Sequence, residues 1–228
     1  MVSVALGIRL TSDVNKSIGI IGGSGPAGRG LAVRLAGAGY NVVLGSREAE
    51  RASQVAGALI WRGQGIVTGG TNEDAAECDL VILATPWDSA VSTVVSLRKQ
   101  LVGKVVISMV NALQKQGREL VPMFPARGSM AAEVAAALPG SKVTGAFHHL
   151  PAADMENLDS GLDADVMVVG DDVEARTQTV EITDAMEGLR AVEVGSLSLA
   201  GAVEAFTAVC ITTNIRHKAH TYVKLAGL

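Results

Sequence analysis

A run of glycines near the start of the chain constrains the fold more than any other feature. Gly23, Gly25 and Gly28 follow a short apolar segment, residues 17–21, and open a stretch with apolar residues at helical spacing. In such a strand–turn–helix unit, the first glycine permits a tight turn and the second lets the main chain approach a pyrophosphate. The third lets the helix pack closely on the strand. The motif therefore predicts an anion site at the amino end of the first helix.

Short β-branched segments alternate with helical stretches beyond this motif. Strands are predicted at 17–21, 41–44, 65–68, 80–85, 104–108 and 142–146, and helices at 27–38, 48–60, 88–100 and 129–138. This order is typical of parallel β–α–β units. We therefore expect an α/β protein with a Rossmann-type, doubly wound parallel sheet.

The sequence changes character after Phe147. A polar, acidic stretch runs to Asp165 and is expected to be a solvated loop. Two further strands, at 166–169 and 191–194, a helix from 171 to 187 and a long helix from about 198 toward the end complete the pattern. We expect an N-terminal extension without assigned role (1–16), a Rossmann domain that binds a dinucleotide (17–147) and a small C-terminal α/β domain (148–228).

Composition and charge exclude several classes of partner. With 48% hydrophobic and 18% charged residues the chain is expected to be globular. Its net charge of −4 comes without a basic block, so we expect no nucleic-acid partner. Two cysteines, Cys78 and Cys210, lie far apart and are expected to be reduced and buried, as in a cytoplasmic protein with no signal peptide.

One apolar segment, residues 196–215, resembles a membrane span. It contains a carboxylate, Glu204, and several hydroxyl side chains, which favour a helix buried between subunits over a helix in lipid. Small residues that permit close helix approach lie on it: Gly201, Ala202, Ala205 and Ala208. The segment therefore predicts a homodimer through the C-terminal helix and no membrane contact.

The end of the second predicted strand discriminates between NADP and NAD. NAD enzymes usually place an acidic side chain there, on the ribose 2′-hydroxyl. Here Ser46 and Arg47 follow the strand, with Arg51 one helical turn later, and these groups complement a 2′-phosphate. The candidate NADP contacts are Gly23, Ser24, Gly25, Pro26, Ala27, Gly28, Ser46, Arg47, Arg51, Thr85 and Pro86.

Several further motifs accompany the fingerprint. They are Gly45-Ser46-Arg47, Asn72-Glu73-Asp74-Ala75-Ala76 with Cys78-Asp79, Pro86-Trp87, His148 with Leu150-Pro151-Ala152-Ala153, Asn157-Leu158, and Gly170-Asp171-Asp172. From residue 17 onward the chain resembles the NADP reductases that exchange hydride with coenzyme F420. The resemblance implies reversible hydride transfer between the deazaflavin C5 and the nicotinamide C4, with the two rings stacked in a cleft between the domains. It also implies that Ser24, Ser46, Arg47 and Arg51 bind the 2′-phosphate.

Both coenzymes carry their own reactivity, so the chemistry requires no obligatory acid–base residue. The candidates for contacts with the two rings are Pro86, Trp87, His148, His149 and Leu150, which follow predicted strands. His217 and His220 have helical spacing, but no third ligand accompanies them, and a solvated helix face is expected rather than a metal site.

Two other functions remain open at this point. One is an NADPH-dependent reductase of flavin, ferric iron or a small carbonyl or imine. The other is a redox sensor that binds NADP without turnover. An assay of hydride transfer from the reduced deazaflavin to NADP distinguishes these two functions from the deazaflavin-linked reductase.

Overall fold

The computed structural model describes residues 16–228, and the predicted N-terminal extension lies outside them apart from Lys16. The strands are β1 Ser17–Ile21, β2 Asn41–Ser46, β3 Ile66–Thr71, β4 Leu80–Leu83, β5 Val105–Ser108, β6 Leu113–Gln116, β7 Glu119–Pro122, β8 Lys142–Gly145, β9 Ala164–Gly170 and β10 Leu189–Gly195. The helices are α1 Pro26–Gly37, α2 Ala49–Ala58, α3 Asn72–Ala76, α4 Trp87–Ser96, α5 Arg98–Leu101, α6 Met130–Ala137, α7 Ala152–Glu156, α8 Val173–Asp184 and α9 Ala200–His217, with a short 3₁₀ helix at Leu197–Leu199.

Eight strands form one sheet in the order β10-β9-β8-β5-β4-β1-β2-β3. From β3 to β8 all neighbours are parallel, and this confirms the predicted Rossmann-type α/β fold. The chain order reverses between β1 and β4, and ligands bind at such a point, outside the carboxyl ends of the strands.

Strand direction changes where the sequence changes character. β9 pairs antiparallel with β8, and β10 pairs parallel with β9. Gly170 pairs with Thr144, so most of β9 extends past the carboxyl end of β8. The domain boundary predicted after Phe147 falls at this reversal and stays a prediction.

Helices cover both faces of the sheet. Leu31 and Leu35 of α1 share one buried cluster with Ile182 of α8. Val94 of α4 and Val134 of α6 belong to a second cluster on strands β4 and β5. The central strands are buried along their whole length, as expected for strands covered on two sides.

Three elements escape the sequence pattern. β6 and β7 form a hairpin outside the main sheet, with Gly117 at φ 60° in its turn. α3 begins with a capping box. Thr71 Oγ1 accepts from Asp74 N at 3.1 Å, and Asp74 Oδ2 accepts from Thr71 N at 2.8 Å. The third element is α7, a single turn. In addition, the predicted helix 88–100 is two helices, interrupted at Leu97.

α9 packs on the rest of the described chain through an apolar cluster that includes Ala200 and Val203 and through polar contacts. Glu204 is buried and accepts from Met130 N at 2.8 Å and Ala131 N at 2.9 Å. Thr212 Oγ1 accepts from Leu120 N in the hairpin at 3.0 Å. By length and composition alone, Leu197–His217 could cross a membrane, and a third of its apolar window is buried in the protein.

Two predictions about the C-terminal part are wrong. The long helix ends at His217, because Lys218 takes a left-handed conformation, so His217 and His220 do not share a helix face. The acidic stretch is also not uniformly solvated. Asp154 and Asp165 are buried, where Asp154 accepts from His220 Nδ1 at 2.5 Å and Asp165 pairs with Arg190 at 2.6 Å.

Both cysteines are free and buried, as predicted. Burial raises the pKa of each thiol. Neither is therefore in the thiolate form that reacts or binds metal.

Candidate functional site

A cleft of about 760 Å³ lies at the carboxyl ends of the parallel strands. It contains every candidate NADP contact except Gly23, which is buried beneath it in the turn. Sequence reasoning did not assign six polar residues that also line it: Glu48, Asn72, Asp88, Ser89, Ser92 and Thr93. Glu48 follows β2, and the other five lie on elements that follow β3 and β4, so only the sheet order brings those five to the glycine turn.

The glycine turn has the close contacts that the motif predicts. Gly22 lies at φ 74°, and Gly23 N donates to the carbonyls of Ile20 and Gly45 at 3.0 and 2.9 Å. A Cβ on Gly28 would lie 2.5 Å from Gly23 Cα, so α1 can approach the turn only with glycine there. A Cβ on Gly25 would meet only the carbonyl of Gly22, at 3.7 Å. The main chain at Gly25 is therefore open to a ligand.

Asn72 fixes this turn from the side. Its Oδ1 accepts from Gly22 N at 3.1 Å, and a Cβ on Gly45 would lie 2.9 Å from the same oxygen. Asn72 begins α3, and the capping box holds that helix in place. The motif Asn72-Glu73-Asp74 was noted in the sequence, but its contact with the turn depends on long-range packing.

The partial positive charge at the amino end of α1 is not neutralised by the side chains of the helix's own first turn. Within residues 16–228 no side chain caps this end of the helix, and the first turn carries no acidic residue. Pro26 is the first residue of the helix. Free main-chain N–H groups and the helix dipole favour an anion at this end. This is the position that a pyrophosphate takes in such folds.

Two guanidinium groups lie at the far end of the cleft. Arg47 and Arg51 are exposed, and among the described side chains neither forms an ion pair. Ser46 is buried beside them, and its Oγ accepts from Glu48 N at 3.3 Å. The charge at this end therefore suits a 2′-phosphate, whereas a plain ribose would leave both guanidinium groups unpaired.

Thr85, Pro86 and Trp87 follow β4, as the sequence predicts. Thr85 Oγ1 is buried without a partner among the described residues, so a hydrogen-bond position is open at this end of the cleft. Trp87 faces a second space of about 300 Å³, which it lines with Val91, Ala112, Met123, Phe124, Pro125 and Met130. We call this space the aromatic hollow. It joins the cleft at Asp88.

His148 and His149 are both buried and do not line the cleft. Burial lowers the pKa of His148 to about 3, and no described group hydrogen-bonds either ring nitrogen. His149 Nε2 donates to the carbonyl of Asp165 at 2.7 Å, and burial lowers its pKa as well. Both rings are therefore neutral near pH 7, and their predicted contacts with the coenzyme rings stay predictions.

The residue before this pair has an unusual conformation. Phe147 lies at φ 66° although its ring is fully buried in the core. Asn111 Nδ2 donates to the carbonyl of His148 at 2.9 Å and ties the loop to the end of β5. Leu150 follows, half-buried. The loop is therefore held by the packing of Phe147 in the core and by the hydrogen bond from Asn111.

A third space of about 380 Å³ lies between α1 and α7 and shares Pro26 with the cleft. We call it the charged hollow; it is lined by Pro26, Arg29, Ala152, Ala153, Glu156 and Asn157. The buried Arg34 fixes the carbonyl end of α7, because it donates to the carbonyls of Met155 at 3.0 Å and of Asp154 and Asn157 at 2.9 Å. α7 therefore has a defined position against α1.

Comparisons with known proteins identify the family of this chain. Residues 17–112 match the family model described as "NADP oxidoreductase coenzyme F420-dependent". An F420-dependent NADP reductase of Methanocaldococcus jannaschii is 36% identical over 222 residues, 92% of this chain and 98% of the relative. One of Methanothermobacter thermautotrophicus is 34% identical over 219 residues, 92% of this chain and 93% of the relative.

A solved structure from Arthrobacter sp. FB24, described as a candidate F420-dependent NADP reductase, superposes with a TM-score of 0.79. It covers 93% of this chain and all of that one at 22% identity, and so supports the fold. The identity to the archaeal relatives over nearly the whole length is what defines the family: this chain belongs to the F420-dependent NADP reductases.

Proposed function

We propose that this protein transfers a hydride reversibly between reduced coenzyme F420 and NADP. The observation that carries the proposal is the cleft in a member of this family. An uncapped helix end and two arginines with no ion pair among residues 16–228 face one continuous space there. The first suits a pyrophosphate and the second a 2′-phosphate.

The residues of this chain fit the NADP part by their own chemistry. Ser24, Ser46, Arg47 and Arg51 would hold the 2′-phosphate, and the first turn of α1 the pyrophosphate. Thr85 Oγ1, which lacks a partner among the described groups, would bind the nicotinamide end beside Pro86. The nicotinamide and deazaflavin rings supply the hydride chemistry when bound. The protein is left to orient them and exclude water.

For the deazaflavin ring, the aromatic hollow supports a contact at Trp87. The candidates Pro86, Trp87 and Leu150 would form its walls, because each is apolar and follows the carboxyl end of a strand. His148 and His149 would hold the loop that carries Leu150, unless ring binding exposes them. No proton needs to move at any of these side chains.

Assembly and location complete the proposal. A homodimer through α9 is supported by two apolar side chains on that helix, Phe206 and Val209, which remain 41% and 56% exposed. The division into an NADP-binding domain (17–147) and a smaller C-terminal domain (148–228) is supported by the reversal of strand direction at β9. Two reduced thiols favour the cytoplasm.

The test is one assay with purified protein, NADP and reduced coenzyme F420. We expect the visible band of the oxidised deazaflavin to appear as NADPH forms, with NAD a much poorer acceptor. Parallel reactions offer NADPH to flavin, ferric iron and a cyclic imine. Turnover with one of these and none with the deazaflavin would contradict the proposal, and tight NADP binding with no acceptor reduced would indicate a sensor.

A further inference from the structure

The charged hollow has one cationic side chain in its lining, and the mechanism proposed so far does not use it. Arg29 Nε lies 3.1 Å from Glu156 Oε2, and the two side chains are 35% and 37% exposed. Apart from Arg29 and Glu156, the residues that line the hollow carry no charge. The nearby guanidinium of Arg34 is buried and occupied by main-chain carbonyls. Any anion that enters this hollow must therefore be met by Arg29.

We infer that Arg29 binds the anionic side chain of coenzyme F420, which carries a phosphodiester and glutamate carboxylates, and that this chain takes the place of Glu156. The inference rests on the proposed function and extends it to the substrate's tail. It assigns Arg29 a role in specificity, with no part in the hydride step.

The ion pair is of a kind that a ligand can replace. It is a single contact through Nε and both side chains are open to water, and exposed pairs of this kind contribute little to stability. A phosphodiester or a carboxylate can accept two parallel hydrogen bonds from a guanidinium, a stronger and more directional contact. The exchange therefore leaves Arg29 paired and releases Glu156 to water.

The hollow is preformed for such an exchange. A Cβ on Gly30 would lie 2.6 Å from Met155 Cβ, so only glycine lets α7 approach α1 this closely. Arg34 then fixes the carbonyl end of α7 from within. Neither contact depends on the Arg29–Glu156 pair, so the space remains when that pair opens.

The position of the hollow favours the deazaflavin over NADP. Arg47 and Arg51 line the cleft but not the hollow, and the first turn of α1 already faces the pyrophosphate position. The hollow shares Pro26 with the cleft and is lined by α7, which directly follows the loop that carries Leu150. A flexible anionic chain attached to a ring in the cleft would leave the site here.

The experiment compares coenzyme F420 with the bare deazaflavin that lacks phosphate and glutamates, each at saturating NADPH. In Arg29→Ala we expect KM for coenzyme F420 to rise roughly tenfold, the loss of one charge-assisted contact. The KM for the bare deazaflavin, the KM for NADPH and kcat should stay near those of the unmodified protein. Arg98→Ala is the matched control, because Arg98 is exposed and bonds only the carbonyl of Ala137.

Glu156→Gln distinguishes ligand binding from a structural role of the pair. If Arg29 binds the tail, removing the competing carboxylate lowers KM for coenzyme F420, whereas a structural ion pair would make both variants worse. Equal changes for both deazaflavins, an increase of KM for NADPH, or no change in Arg29→Ala would overturn the inference while the proposed function stands. Absence of turnover with either deazaflavin in the unmodified protein would instead overturn the proposed function.

Discussion

Two buried ionisable side chains give this protein opposite responses to pH. Burial lowers the pKa of His148 from 6.5 to about 3, and burial raises the pKa of Glu204 from 4.5 to about 7. In each case the folded state favours the neutral form. As pH falls, His148 is protonated in the unfolded chain before it is protonated in the folded protein. Glu204 is protonated in the folded protein before it is protonated in the unfolded chain.

For His148 the folded pKa lies below the unfolded one. Stability should therefore fall as pH decreases from about 6.5 toward 3, by about 1.4 kcal/mol per pH unit from this residue. We expect His148→Asn to lose this part of the acid sensitivity. Urea unfolding midpoints of the unmodified protein and the variant, measured from about pH 6.5 to 3, test this prediction. If the two midpoints changed with pH in parallel, the burial of a neutral His148 ring would be contradicted.

For Glu204 the sign is reversed. Its folded pKa is raised, so stability should fall by about 1.4 kcal/mol per unit as pH rises from about 4.5 to 7. Glu204→Gln removes this slope. Between about pH 4.5 and 6.5 the slopes from His148 and Glu204 oppose each other in the unmodified protein, so stability changes little there, whereas the stability of the variant should increase with pH. The same urea series measures the difference, and a variant that follows the unmodified curve would argue against a titrating Glu204.

Arg47 is expected to set the preference for NADP. Arg47→Ala should weaken NADPH binding by roughly 1–3 kcal/mol and leave NADH binding nearly unchanged, because only NADPH carries the 2′-phosphate. Calorimetric titration of each dinucleotide checks this, with Arg98→Ala as control. Equal losses for both dinucleotides would remove the 2′-phosphate assignment.

These residues show what sequence reasoning reaches and where it stops. Arg47 could be placed because its function follows from its position at the end of β2, a local feature. The burial of His148 and His149 could not be read from the sequence, because the part of β9 that extends past β8 covers them. The partners of Glu204 are the first N–H groups of α6, more than seventy residues away. Only the folded chain brings these groups together.

At the scale of single elements, α7 depends on a side chain from another helix. Arg34 of α1 donates to three carbonyls and to Ser160 Oγ at 3.1 Å. These carbonyls lie at the end of a helix too short to be stable alone, and those of Asp154 and Asn157 also accept from Ser160. Sequence patterns missed α7 for the same reason, since one turn has no periodicity to detect.

We therefore expect Arg34→Ala to lower the free energy of unfolding by roughly 2–4 kcal/mol, because the four hydrogen bonds of a buried guanidinium and its packing are lost at once. Arg34→Lys should recover only part of this, since one ammonium cannot reach all the acceptors. Urea unfolding measures both, with Arg98→Ala expected within about 0.5 kcal/mol of the unmodified protein. A loss below about 1 kcal/mol in Arg34→Ala would mean that α7 is held by its apolar contacts.

At the scale of the whole molecule, the parallel part of the sheet could be predicted and its antiparallel extension could not. Alternation of strands and helices is the same for a parallel and a reversed strand, so β9 carries no local sign of its direction. The hairpin β6–β7 escaped detection because its strands are short and largely exposed. It matters for assembly, because it packs on α9 beside the exposed apolar residues of that helix.

The predicted homodimer can be tested on α9. Phe206→Glu should convert a dimer to a monomer, because a charge placed in an apolar interface is desolvated without a partner. Sedimentation equilibrium measures the mass. Ile60→Glu is the control, since Ile60 is 80% exposed and follows α2 near the β3 edge of the sheet, opposite β10. A monomer in the unmodified protein, or a dimer retained in Phe206→Glu, would contradict an interface through α9.

Phe147 limits how this site can be redesigned. Its main chain takes a conformation that glycine adopts most easily, yet its aromatic ring fills the interior, so no single replacement satisfies both demands. Glycine would relax the torsion and leave a void, while another bulky residue would keep the strain and fit less well. An engineer who wants to reshape the segment behind Leu150 must change this position together with its packing neighbours.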